Sequence, residues 1–214
     1  MKTTTSLALS LITVGLLMGG CASTRNYKKA EHTSNSLENS AKVIHQSNLQ
    51  VGAVAKALGD LVDNPKSNIR AQFVKFDAEL SKLTSLATRM NDQSASIQTE
   101  GNDYFKSWDE DLTKINNEDI RERSTARKHI MAASFEKVRI NHEKTKSDLA
   151  RFLSDLKDIR TALASDLTSG GLESVKEITE EAQYRARQLQ RTLKHMEKDF
   201  RDLSASMSTT KTAS

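Results

Sequence analysis

The chain has little of what most folds use to turn: one Pro and eight Gly, where typical usage would put roughly eleven Pro in a chain this long. Many-stranded β folds and Pro-rich disordered chains both depend on such breakers, so neither class fits. A single Cys leaves no internal disulfide to form. Aromatics are scarce, with one Trp, three Tyr and six Phe, and neither sign of charge dominates, with 32 Lys and Arg against 28 Asp and Glu. A net charge of +4 is too weak to imply nucleic acid by itself. Long helices remain.

Enzyme signatures are missing as well. The five histidines, His32, His45, His129, His142 and His195, are scattered, and none stands in an HExxH or Glu-x-x-His pair that could hold zinc or a di-iron centre. There is no P-loop, no GxGxxG and no GxSxG. The expectation is a protein without enzymatic activity, metal or cofactor.

What is present begins at the N-terminus. MKTTTS followed by LALSLITVGLLMGG reads as a charged and then an apolar region of export-signal length, too short to span a bilayer comfortably. Residues 1–20 are expected to be cleaved. Cys21, in LLMGGCAS, resembles the cysteine of a bacterial lipobox, with Gly19 and Gly20 as the small residues before it and Met18 where Leu is more usual. The resemblance implies acylation of Cys21, and several acyl chains on one residue anchor durably. Ala22 and Ser23 follow, without the Asp that by the same resemblance would retain the protein at the inner membrane, so the periplasmic face of the outer membrane is the expected address. Residues 21–33 are polar and lack an apolar period, which reads as a lipidated tether, and residues 208–214 read as a disordered tail.

Between them the chain follows a seven-residue period. Steps of four and three from Leu37, Ile69, Met131 and Ala182 meet an apolar residue at 33 of 38 positions, where chance would give about 14. The spacing predicts four helices, near 34–63, 66–115, 119–168 and 172–207. Asn64 with Pro65 and Asn117 with Glu118 read as helix starts, and Gly170 with Gly171 as a helix end needing positive φ. Short breaks force antiparallel neighbours, so the fold class is an all-α, elongated, antiparallel four-helix coiled-coil bundle over residues 34–207.

Lengths add a further expectation. The two central helices would run about 75 Å, the first about 45 Å and the last about 54 Å, leaving residues 101–134 as a projecting two-helix tip. Tyr104, Phe105 and Trp108 sit there. Where the outer helices fall short, part of this aromatic surface is left to bind a protein partner; alternatively the hairpin shields Tyr104 and Trp108 within its own seam. Pairing about residue 118 sets His142 opposite Ser94, as a pH-sensitive buried group or as a register-fixing polar layer like that expected of Asn48, and sets Gly101 opposite Phe135. Leu49, Val54, Leu61 and Leu86 are apolar residues beyond the period that widen the core or build an oligomer interface; spacing does not choose.

One charge pattern is distinctive. Lys137, Arg139, Lys144, Lys146 and Arg151 occupy outward positions of the third predicted helix, and Arg187, Arg191, Lys194, Lys198 and Arg201 those of the fourth. Set side by side, these stripes would attract anionic lipid or another polyanion, unless Glu136, Glu143, Asp148, Glu197 and Asp199 neutralise them.

The run 104–124, with Tyr104, Phe105, Trp108, Leu112, Ile115, Asn117, Arg121, Arg123 and Ser124, resembles an uncharacterised family of bacterial lipoproteins known only as a domain of unknown function. The similarity continues into DLTSGGLESVK and, with the lipobox, covers most of the chain. It implies a helical envelope lipoprotein with no assigned activity and no catalytic residues. The leading expectation is therefore an outer-membrane-anchored structural or protein-interaction module contacting an envelope partner through the tip. The alternative is an anionic membrane or polyanion binder using the basic face.

Overall fold

A computed structural model describes residues 23–208, so residues 1–20, read above as an export signal, Cys21 and nearly all of the stretch read as a tail lie outside the described residues. Five helices and no strand occur among them: α1 (Ser23–Val62), α2 (Ile69–Leu112), α3 (Glu118–Ser165), the short α4 (Ser169–Ser174) and α5 (Lys176–Met207). The heptad pattern dictates this outcome, since each long helix carries one apolar stripe that water cannot satisfy and that only the other stripes can cover. α1 packs between α2 and α5, α3 closes the ring on the other side, and α1 and α3 lie diagonally. Every neighbouring pair is antiparallel: Lys29 meets Asp103 and Gln50 meets Glu79 across α1 and α2, while Asn141 meets Asp199 and Arg185 meets Asp155 across α3 and α5. The four-helix bundle expected from the period is the observed fold.

The ends differ from the expectation, each for a local reason. α2 starts on Asn68, whose side chain accepts from the Ala71 N–H at 3.0 Å, and not on Asn64 and Pro65. α3 does start on Asn117, which accepts from the Ile120 N–H at 3.1 Å, with Glu118 and Asp119 complementing the first-turn dipole. The fourth predicted helix divides at Val175 into α4 and α5. None of the described glycines has positive φ. Gly171 is needed for closeness instead: a Cβ there would sit 2.0 Å from the Asp166 carbonyl oxygen, where Thr168 caps α4.

The largest correction is at the start. The stretch read as a tether is helical from Ser23, because Ala30, Thr33, Ser34 and Leu37 form successive buried layers whose small polar members conceal the period. Ser34 Oγ donates to the Ser204 carbonyl at 2.9 Å and Ser204 Oγ donates back to the Ser34 carbonyl at 2.8 Å, so these two buried hydroxyls satisfy each other's helices. α1 also buries a wider face than two positions per heptad. Val54 and Leu61 are wholly inside, Leu86 packs partly against the core, and Leu49 points to solvent at 63% exposure.

Candidate functional site

The hairpin joining α2 to α3 was expected to be bare from residue 101. It is not. Lys29 Nζ donates to the Asp103 carbonyl at 3.2 Å and His32 Nδ1 lies 3.2 Å from Glu100, so α1 continues beside α2 to about the level of Asp109. On the other flank α5 ends near Met131, where Ser206 Oγ donates to its sulfur, and Arg127 donates to the Ser206 carbonyl. The two-helix projection is thus confined to the turn beyond about Asp109 and Arg127.

Within that frame the aromatics face inward. Tyr104 is 7% exposed, and its phenol is pushed above its ordinary pKa by burial. Phe105 stands edge-on to Phe135 with centroids 5.7 Å apart, and Trp108 packs on Tyr104 at 5.5 Å while its indole N–H donates to Ser124 Oγ at 3.1 Å. Tyr104 is thus buried, and Phe105 and Trp108 are half-buried against the core. Replacing Phe105 and Trp108 together by Ala is expected to destabilise the protein by about 3 kcal/mol, seen as a lower thermal midpoint; an unchanged midpoint would return these rings to a surface role.

His142 lies where register about residue 118 places it. Its Nδ1 is 3.1 Å from Ser94 Oγ, its ring is 6.0 Å from Phe200, and Leu37 from α1 helps to enclose it. Burial lowers its pKa, opposed by the Glu143 carboxylate 3.9 Å away and assisted by the charge on Lys146. Above the ordinary imidazole pKa of about 6.5 neither folded nor unfolded chain protonates this ring. As pH falls below that value the unfolded chain binds the proton first, so stability declines down to the folded-state pKa, by at most about 1.4 kcal/mol per pH unit. Urea unfolding of the wild type and His142→Asn at pH 7.5 and 5.5 (about one unit either side of the free value) should show a smaller pH effect in the variant; equal effects would assign the loss elsewhere.

The ten cations of the basic stripes do not form one face. Asn141, Asp155, Arg185 and Asp199 mark the α3–α5 seam. By their heptad positions relative to that seam, Lys137, Lys144 and Arg151 flank α5, whereas Arg139 and Lys146 turn toward α2, Arg139 lining a crevice with Ser94 and Gln98. On α5, Arg187, Lys194 and Arg201 turn toward α1, Arg191 and Lys198 point outward, and Gln188 and His195 separate them from α3. Five of the ten are paired: Arg139 with Glu136, Lys146 with Glu143, Arg151 with Asp148, Lys198 with Asp202, and Arg201 with Glu38 and Glu197. Asp199 accepts from Asn141 at 3.2 Å.

Sequence reasoning missed what these pairings leave over. Arg187, Arg191 and Lys194 make no ion pair among the described residues, and with Asn48, Tyr184, Gln188 and Gln190 they line an open depression of about 510 Å³ along α5. The signal was an absence: 182–196 contains no Asp or Glu, nor does 39–59 of α1.

Among the described residues, no group of three or more His, Cys, Asp and Glu side chains converges as metal ligands would, and no helix is long and apolar enough to cross a membrane. A family model described as a protein of unknown function, DUF2959, matches residues 23–209. No curated protein and no solved structure matches the chain.

Proposed function

The chain belongs to the DUF2959 family, and because that description assigns no chemistry we propose a role from the geometry: a lipid-anchored, non-enzymatic helical rod of the bacterial cell envelope. It serves as a structural or protein-interaction module at the periplasmic face of the outer membrane. The observation that carries this reading is the position of Ser23. α1 starts two residues after Cys21 and packs into the bundle within its first turns, through Ala30 and Thr33. A lipid on Cys21 would be two residues from the first described helix. The lipobox resemblance of LLMGGCAS supplies the chemistry, and α3, with 48 residues, supplies a rod about 72 Å long.

The same geometry reverses the direction in which the rod presents itself. α1 starts beside the α2–α3 turn, so that turn belongs to the anchored end, and the turns at 63–68 and 166–168 form the far end. An envelope partner approaching from the end away from Cys21 would meet those far turns first. The test is in-cell photo-crosslinking from Lys66 and, in parallel, from Lys114 at the anchored turn. A partner protein captured from Lys66 supports the module reading, and capture from neither position removes it.

A further inference from the structure

We propose that the carboxylate-free flank formed by 39–59 of α1 and 182–196 of α5 is a docking surface for an anionic phospholipid bilayer, on which the rod lies lengthwise. This deepens the reading above by naming the face that meets the membrane, and it can fail or hold independently of Cys21 acylation.

Two acid-free segments in a chain with 28 acidic residues would mean little if they lay apart. The antiparallel register puts them together. Gln190 Nε2 donates to the Asn48 carbonyl at 3.3 Å, Gln183 reaches Asp63 at 2.9 Å, and Arg201 pairs with Glu38, so the two segments run side by side along their length. Four of the carboxylates that border the flank are already engaged, while Glu180, exposed at its edge, makes no ion pair among the described residues. Glu197 is held by Arg201 and His45, Glu38 by Arg201, Asp60 by Lys56, and Glu181 by Arg185. Lys42, Arg187, Arg191 and Lys194 have no carboxylate partner among the described residues.

Apolar tips stand among these cations. Leu49 is exposed next to Asn48, and Tyr184 is 56% exposed with the Arg187 guanidinium 5.9 Å from its ring centroid. Cations interleaved with one aliphatic and one aromatic tip match the headgroup boundary, where basic side chains meet phosphates and apolar tips enter the layer beneath. The surface is a broad ridge of two helices with a shallow depression. That shape suits a bilayer better than an extended acidic peptide, which needs a groove. The apolar run at 7–18 would deliver the chain to a bilayer in the first place.

The test uses protein beginning at Ala22, so that neither the apolar run nor an acyl chain contributes. Among the described residues the apolar core lies within 30–207; circular dichroism checks that each variant is helical. Co-sedimentation is measured with phosphatidylcholine vesicles, with and without phosphatidylglycerol, across a salt series. Binding is expected only to the anionic vesicles, fading as the screening length drops below about 8 Å. Neutralising three cations together, R187Q, R191Q and K194Q, should weaken it on the order of a hundredfold, while K137Q with K144Q on α3 stays within about twofold. Leu49→Ser, an exposed single change, should weaken it severalfold. The proposal is overturned by equal binding to both vesicle types, by a triple variant that binds like wild type, by an equal loss in the α3 variant, or by polyglutamate binding more tightly than the vesicles. That last result would assign the flank to an acidic protein.

Discussion

Cys21→Ser is expected to leave the chain without acyl groups and with residues 1–20 uncleaved, an all-or-none change that intact-mass measurement of the membrane-extracted protein reads directly. The argument is chemical. A thiolate forms a thioether to the diacylglyceryl carbon of a phospholipid as the C–O bond to its phosphate headgroup breaks and the headgroup phosphate leaves, and a serine hydroxyl, far less acidic, does not replace it. With the wild-type residue, each methylene buried in the bilayer contributes about 0.8 kcal/mol, so several chains on one amino acid hold the protein far more firmly than one would. The consequence for the structure is specific to this fold: since α1 is helical from Ser23, loss of the acyl chains takes away none of the described helices, and the unacylated variant should keep wild-type helicity and thermal midpoint. A wild-type protein whose mass shows an unmodified Cys21 would end the lipoprotein reading.

The second large effect lies where α2 and α3 touch. A Cβ on Gly101 would fall 2.2 Å from Phe135 Cζ, and the ring cannot simply swing away because Phe105 stands edge-on to it. Gly101→Ala is expected to cost about 1–3 kcal/mol by overpacking. Phe135→Ala removes a buried ring and should cost about 3–5 kcal/mol, lowering the thermal midpoint on the order of 10 °C. The double variant gives the added methyl the space that the ring vacates, so its loss should fall short of the two single losses combined by about 1 kcal/mol or more in urea unfolding. Strict additivity would mean that the glycine is not there to admit the ring.

Gly101 opposite Phe135 and Ser94 opposite His142 were both legible before any coordinates, because a heptad walk through two helices joined by a short turn leaves one register free of conflict. The start of α1 was not legible. Its first layers are Ala30, Thr33 and Ser34, and a buried serine that exchanges hydrogen bonds with Ser204 reads in sequence as solvent-facing. A first helix shortened in this way leaves bare a cluster of which Tyr104 is in fact buried and Phe105 and Trp108 half-buried. Side-by-side placement of the basic stripes failed for a different reason. Periodicity places a residue on a face but does not say which neighbour that face adjoins; the cyclic order of the helices does, and contacts such as that between Arg201 and Glu38 reveal it. The acid-free flank lay in plain view as two segments, and only their antiparallel pairing makes them one surface.

The reciprocal serine pair sits close to where α1 begins and α5 ends, so both ends of the described residues lie at the same end of the bundle. A pull between the two ends would load that clasp first and then peel α1 from α5 one layer at a time, at low force. A pull between the anchored end and the far turn would instead act along α1 in shear, spreading the load at once over its contacts with both α2 and α5. Tension along the long axis is expected to unfold the bundle at a higher force than tension across its ends, a mechanical anisotropy that single-molecule stretching from the two attachment geometries would measure.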